Sequence, residues 1–181
     1  MKLKNNFLMP TLSILLLNSI HAAETKTWSL ESADAKYLAK HIAHNTHAES
    51  KTAKGKIKCD KECDALIAIE VKTFNSGNTN RDLHMQKITN AASVPYVTLK
   101  LHGPKDIKTW NKDNITAKID FAGQTNDVKF NELKVSATDS KLSTEAKFQI
   151  SLTQFKVDRP SLLGVPVDDL IELEVKGDWK N

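Results

Sequence analysis

Residues Asp64–Met85 read DALIAIEVKTFNSGNTNRDLHM, and they decide the fold class. Ile67, Ile69 and Val71 fall on one face of an extended chain, with Glu70 and Lys72 on the other. Such period-two alternation marks a strand buried on one side only. Phe74-Asn75-Ser76-Gly77-Asn78 breaks the pattern, because Asn, Ser and Gly accept turn conformations or bond their own backbone. Thr79-Asn80-Arg81-Asp82 then opens a short helical segment, with Asn78 or Thr79 as its cap. His84, Met85 and Ile88 follow at spacings that suit one side of a helical turn or two.

Working outward, the rest of the chain is also strand-like. Trp28, Leu30 and Ser32 suggest a first edge strand. Tyr37–Ala48 is read as a strand, although its Ala, Leu and Lys content also suits a helix. Lys54–Cys59 and Leu66–Phe74 pair as a hairpin. Pro95–His102 places Val97, Leu99 and Leu101 on one face, and Asn114–Phe121 does the same with Ile115, Ala117, Ile119 and Phe121. Ala122–Asn126 reads as a hairpin loop. In Asp127–Thr138 the apolar parity changes across Asn131-Glu132, which predicts a bulge. Thr144–Phe155 carries Ala146, Phe148, Ile150 and Leu152. After a loop at Arg159–Gly164, Leu170–Trp179 turns Ile171, Leu173 and Val175 inward.

Roughly eight alternating strands result, with a short helical insertion after the third. The expected class is all-β, an eight-stranded antiparallel barrel, since closure removes exposed edges. A barrel of that size is wide enough for one small ligand. A two-sheet sandwich with a filled core has the same periodicity.

The chain has 181 residues and a formal net charge of +4, one domain's worth of sequence. Its lysines are scattered between apolar positions as on solvated strand faces. No Lys/Arg cluster with interleaved aromatics is present, so nucleic acid is not an expected partner. Lys2 and Lys4, the apolar run Phe7–Leu17 and the small residues around Ala22-Ala23 read as a secretory signal peptide over 1–22. The domain then occupies 23–181. An uncleaved anchor is disfavoured, because the apolar run is far shorter than the ~20 residues a spanning helix needs.

An exported chain works in an oxidising space, where Cys59 and Cys63 are expected to form a disulfide stapling a hairpin turn. A redox pair is the rival reading, but the spacing is not Cys-x-x-Cys. No metal site is expected. Zinc would require further ligands at recognisable spacing, and His41, His44 and His47 do not share one face of a strand. Contact with solvent or a ligand head group suits those histidines better. Arg81-Asp82 and Asp158-Arg159 are expected to fasten loops to the barrel by ion pairs. There is no Gly-x-Ser-x-Gly elbow and no distinguished carboxylate pair, so no enzyme activity is expected.

Four stretches resemble the YceI-like family of bacterial periplasmic lipid-binding proteins. They are His44-Asn45-Thr46-His47 with Lys54-Gly55-Lys56, then Phe74–Met85, then Ile119-Asp120-Phe121-Ala122-Gly123, and finally Phe155–Gly164. In the third, Asp, Phe and Ala replace the family's Thr, Leu and His. The resemblance implies a lipocalin-like barrel around an elongated apolar tunnel that binds a polyisoprenoid chain in the periplasm. The tunnel lining would then be Ile69, Val71, Val97, Leu99, Leu101, Ile119, Phe121, Phe148, Ile150 and Leu173. The lipid would be a bound isoprenoid or quinone-like ligand rather than a catalytic cofactor, and transient contact with a membrane or membrane protein goes with carrying it. A secreted structural or partner-binding domain without lipid is the alternative.

Overall fold

The structure is a computed structural model and describes residues 25–181. The expected leader, 1–22, lies outside the described residues. Twelve strands and one α-helix follow in order: β1 (Lys26–Ala39), β2 (Thr46–Ser50), β3 (Lys54–Cys59), β4 (Glu62–Glu70), α1 (Thr79–Ile88), β5 (Tyr96–Pro104), β6 (Thr116–Phe121), β7 (Gln124–Val128), β8 (Phe130–Ala137), β9 (Lys141–Ser151), β10 (Ser161–Leu162), β11 (Val165–Pro166) and β12 (Leu170–Lys180).

Ten strands form one antiparallel sheet in the order β7-β6-β5-β4-β3-β1-β12-β9-β8, with β2 paired to β1 off that path. The sheet curls into a half-barrel whose end strands, β7 and β8, are not bonded to each other. Thus ten strands stand where about eight were expected, the helix follows the fourth strand rather than the third, and closure by a continuous ladder is not reached. The expected first edge strand at Trp28–Ser32 runs on through Tyr37–Ala39 as one strand, β1, which lies between β3 and β12 inside the sheet rather than at its edge. The stretch read as Tyr37–Ala48 is a hairpin: β1 ends at Ala39 and β2 starts at Thr46. Asp127–Thr138 is likewise two strands, and Gln124–Asn126, expected in a loop, belongs to β7. The expected bulge is present, as a register shift between Phe130 and Glu132 against β9.

The sheet has two unlike ends. At one, Trp28, Ile57, Cys63, Leu142 and Trp179 are almost wholly buried. Gly55, Gly103 and Gly177 let backbone and tryptophan rings approach closely; a Cβ at Gly103 would stand 2.7 Å from the Ile115 side chain. The Trp179 indole N–H donates to Thr144 Oγ1 at 3.0 Å. Cys59 and Cys63 close the β3–β4 turn as a disulfide. This end is a packed floor.

Candidate functional site: an apolar cavity at the open end

At the other end the sheet does not fill itself. β4 leaves through a 3-10 turn at Val71–Thr73, and α1 follows. Asn78 caps α1 by accepting from the Arg81 backbone N–H at 3.1 Å. The Asp82 carboxylate accepts from the Ser76 N–H, and Asn75 exchanges backbone hydrogen bonds with Glu49 of β2. These ties hold α1 across the end of the sheet. No residue of α1 is fully buried.

Beneath α1 lies a cavity of about 270 Å³. Its wall includes Val71, Val97, Ile119, Phe121, Ile150 and Leu173 from the sheet and its flanks. Arg81, His84, Met85 and Ile88 of α1 contribute the roof, so the one-sided spacing read in the sequence faces this space. Four residues named from sequence lie elsewhere. Ile69, Leu99 and Phe148 surround a separate void of about 30 Å³ on the floor side of the cavity. Leu101 packs against the core beside Ala65 and Ala117, toward the floor. The space therefore ends on a packed floor rather than running through the barrel.

Sequence reading missed Tyr37, Phe74, Leu152, Val157 and Ile171 as cavity wall. Leu152 and Val157 flank a turn after β9, where strand periodicity no longer applies. Tyr37 and Phe74 pack with ring centroids 5.6 Å apart.

Polar groups gather at the rim. His41 and His44 both line it, with ring centroids 6.0 Å apart, because the β1–β2 turn brings together residues that a straight strand would oppose. His47 sits on β2, exposed, away from the cavity. The Ala43 N–H donates to His41 Nδ1 at 3.0 Å, so Nε2 carries the proton and donates to the Val165 carbonyl, also at 3.0 Å. Arg81 has no carboxylate within ion-pair distance among the described residues, contrary to the loop-fastening expectation; only Asp82 of that pair ties a loop. Arg159 fastens its loop by donating to the Val167 carbonyl, not by an ion pair. Burial pushes the Tyr37 phenol up to about 12, with the nearby Asp82 charge adding to the rise and Arg81 opposing it. Among the described residues no group of three or more His, Cys, Asp or Glu side chains could hold a metal ion.

The YceI-like domain model matches residues 28–178, nearly the whole described chain. The chain belongs to the YceI-like family. Solved structures carry the same fold. A polyisoprenoid-binding domain from Saccharophagus degradans, implicated in plant cell wall breakdown, superposes with a TM-score of 0.66 at 11% identity, covering 84% of this chain and 97% of that one. Burkholderia cenocepacia BcnA gives 0.64 at 16% identity, covering 81% and 95%. The Campylobacter jejuni YceI protein gives 0.54 at 20%, covering 78% and 89%. No curated protein matches the chain. This YceI-like half-barrel thus combines a packed floor, an apolar cavity and a polar rim with a guanidinium that has no carboxylate partner among the described residues. No helix among the described residues is long and apolar enough to cross a membrane.

Proposed function

We propose that the protein binds one isoprenoid lipid, a polyprenyl chain or isoprenoid quinone, and carries it through the periplasm without chemical change. The observation that carries this reading is the apolar cavity under α1, whose rim alone is polar. Membership of the YceI-like family and the fold shared with a polyisoprenoid-binding domain support it. A leader-like N-terminus and the Cys59–Cys63 disulfide suit an oxidising periplasm.

In this arrangement the tail enters toward Ile119, Ile150 and Leu173, and the polar end stays among His44, Arg81 and His84. Cavities of ~150 Å³ accommodate benzene, so 270 Å³ takes roughly ten carbons, about two isoprene units. A longer tail requires more room, and α1 is the wall with least to lose by moving, since none of its residues is fully buried. Transfer of the tail is worth ~0.8 kcal/mol per methylene from water, but a lipid waiting in a membrane is already dry. Net capture must therefore come from fit and from pairing the head group.

Native mass spectrometry of gently purified protein tests the reading. A co-purifying isoprenoid is expected, and Val97→Phe, which fills the cavity from the sheet side, should lose it while keeping the β-rich circular dichroism. Protein that is empty as isolated and takes up no added isoprenoid would end the carrier reading.

A further inference from the structure

We propose that the cavity end docks on a lipid bilayer through two aliphatic tips, Ile42 and Leu163. The carrier reading supplies the reason for docking, and the inference rests on it to that extent. Ile42 is 88% exposed and Leu163 94%, the two most exposed large apolar side chains among the described residues. A partly exposed leucine is ordinary. These two differ, because each lies in a connection between paired strands and the two connections are neighbours. Ile42 lies in the β1–β2 turn and Leu163 in the β10–β11 turn, joined by the His41 Nε2 bond to the Val165 carbonyl. Leu162 and Val165, each nearly half exposed, flank the second tip.

Backbone conformation provides an independent reason. Leu163 and Gly164 form a two-residue hairpin loop with φ of 53° and 79°, the type I′ pattern. That turn favours Asn-Gly, and a bulky side chain at its first position is disfavoured. The chain thus keeps an aliphatic group where turn formation would select Asn. Neither Ile42 nor Leu163 belongs to the hydrophobic core, and neither lines the cavity. Core packing and cargo contact leave both unexplained.

A bilayer suits these tips better than a protein does. A stable protein interface buries ~800 Å² on each partner around an apolar centre. Two convex tips and two half-exposed neighbours present far less. The head-group boundary of a bilayer, in contrast, admits aliphatic groups to ~5–10 Å. Of the nearby cations, Lys40 pairs with Glu172 and Arg159 donates to a carbonyl, while Arg81 at the same rim has no carboxylate within ion-pair distance among the described residues. The tips also sit at the rim through which a lipid would pass.

Co-sedimentation of the purified protein with sucrose-loaded vesicles of phosphatidylethanolamine and phosphatidylglycerol tests this. Wild type should pellet with the vesicles. Ile42→Ser and Leu163→Asn should each lower vesicle partition by roughly tenfold or more. Leu163→Asn creates an Asn-Gly turn, so its Tm should hold or rise, which separates lost docking from lost folding. Both variants should retain any bound isoprenoid. Wild type left in the supernatant, or a double variant that pellets like wild type, would overturn the proposal. So would a wild-type dimer that the variants dissolve, since the tips would then belong to a second copy. Docking without any isoprenoid uptake would sink the carrier reading alone; uptake without docking would sink only this one.

Discussion

Leu142→Ala and Ile150→Ala should have unequal costs, although both residues lie on β9, both point inward and both lose equivalent mass. Leu142 is 1% exposed and sits in the floor, whereas Ile150 is 6% exposed and faces the cavity. Each substitution removes three carbons, ~2.4 kcal/mol of transfer free energy. In the floor a new void also forms. Three carbons leave on the order of 80 Å³, and at ~24 cal/mol per Å³ this adds about 2 kcal/mol. Leu142→Ala should therefore cost about 4 kcal/mol. Ile150 already lacks partner atoms on its cavity side, so its removal enlarges an existing space and forfeits fewer contacts. Its cost should stay near 2 kcal/mol. For a domain of this length the gap of ~2 kcal/mol separates the two Tm values by about 4–8 °C. Urea unfolding of lipid-free protein, with m-values compared, gives the free energies directly. Equal costs for the two variants would refute the division into packed floor and open end. Adding lipid should raise the cost of Ile150→Ala and leave Leu142→Ala unchanged.

Other expectations concern the rim, the staple and pH. Arg81→Ala should leave Tm unchanged but weaken capture of isoprenoids with polar head groups, and not of a headless isoprenoid hydrocarbon; equal loss for both would deny Arg81 a head-group role. Removing the disulfide with Cys59→Ser and Cys63→Ser should cost about 2 kcal/mol for so short a loop, read by urea unfolding under non-reducing conditions. Asp169 accepts from the Ser151 and Thr153 hydroxyls and the Thr153 N–H, and these bonds hold its carboxyl below the usual carboxylate range. A depressed folded value contributes stability above the unfolded value, lost as pH falls through the folded one. Asp169→Asn should thus flatten the fall in Tm below about pH 4, and an unchanged acid limb would contradict it. His102 is shifted the other way, first by its bond to Asp64 and further by Glu62. Its small contribution is present below about pH 6.5 and fades as pH rises through its raised folded value, so His102→Gln should show a deficit only on the acid side.

Period-two alternation was enough to show the sheet, because half-burial imprints itself directly on sequence. Ile67, Ile69, Val97, Leu99, Ile119, Phe148 and Ile150 all turn inward in the structure. Alternation is silent on what an inward side chain meets, however. Ile69 and Ile150 read alike, yet one borders the floor-side void and the other the cavity. That difference is set by depth along the sheet, which depends on register and on where the tryptophans fall. The β1–β2 hairpin was missed for a related reason. Its turn, Lys40–Asn45, contains no Gly or Pro, and the strand reading of Tyr37–Ala48 rested on the clear strands that follow it. The helix was legible because its signals are local: an Asn cap and a one-sided run.

The two ends of the half-barrel make sense together. A space of about 270 Å³ leaves its lining side chains without partner atoms on that side. A domain whose whole stability is ~5–15 kcal/mol cannot spread such looseness through its interior. Here the looseness is confined to one end, while buried tryptophans, close-packed glycines and a disulfide concentrate order at the other. A guest in the cavity would restore contacts that the walls lack, and binding to the folded state alone raises its apparent stability with guest concentration. The rise should then appear at every amide whose exchange requires an opening that releases the guest. Hydrogen exchange of lipid-free protein should be faster in α1 and the β1–β2 turn, which open locally, than at Leu142 and Trp179, whose amides wait for global unfolding, and added lipid should slow both groups. Equal protection at both ends of the lipid-free protein would mean that the floor and the cavity open as one unit, and the separation of tasks between them would fail.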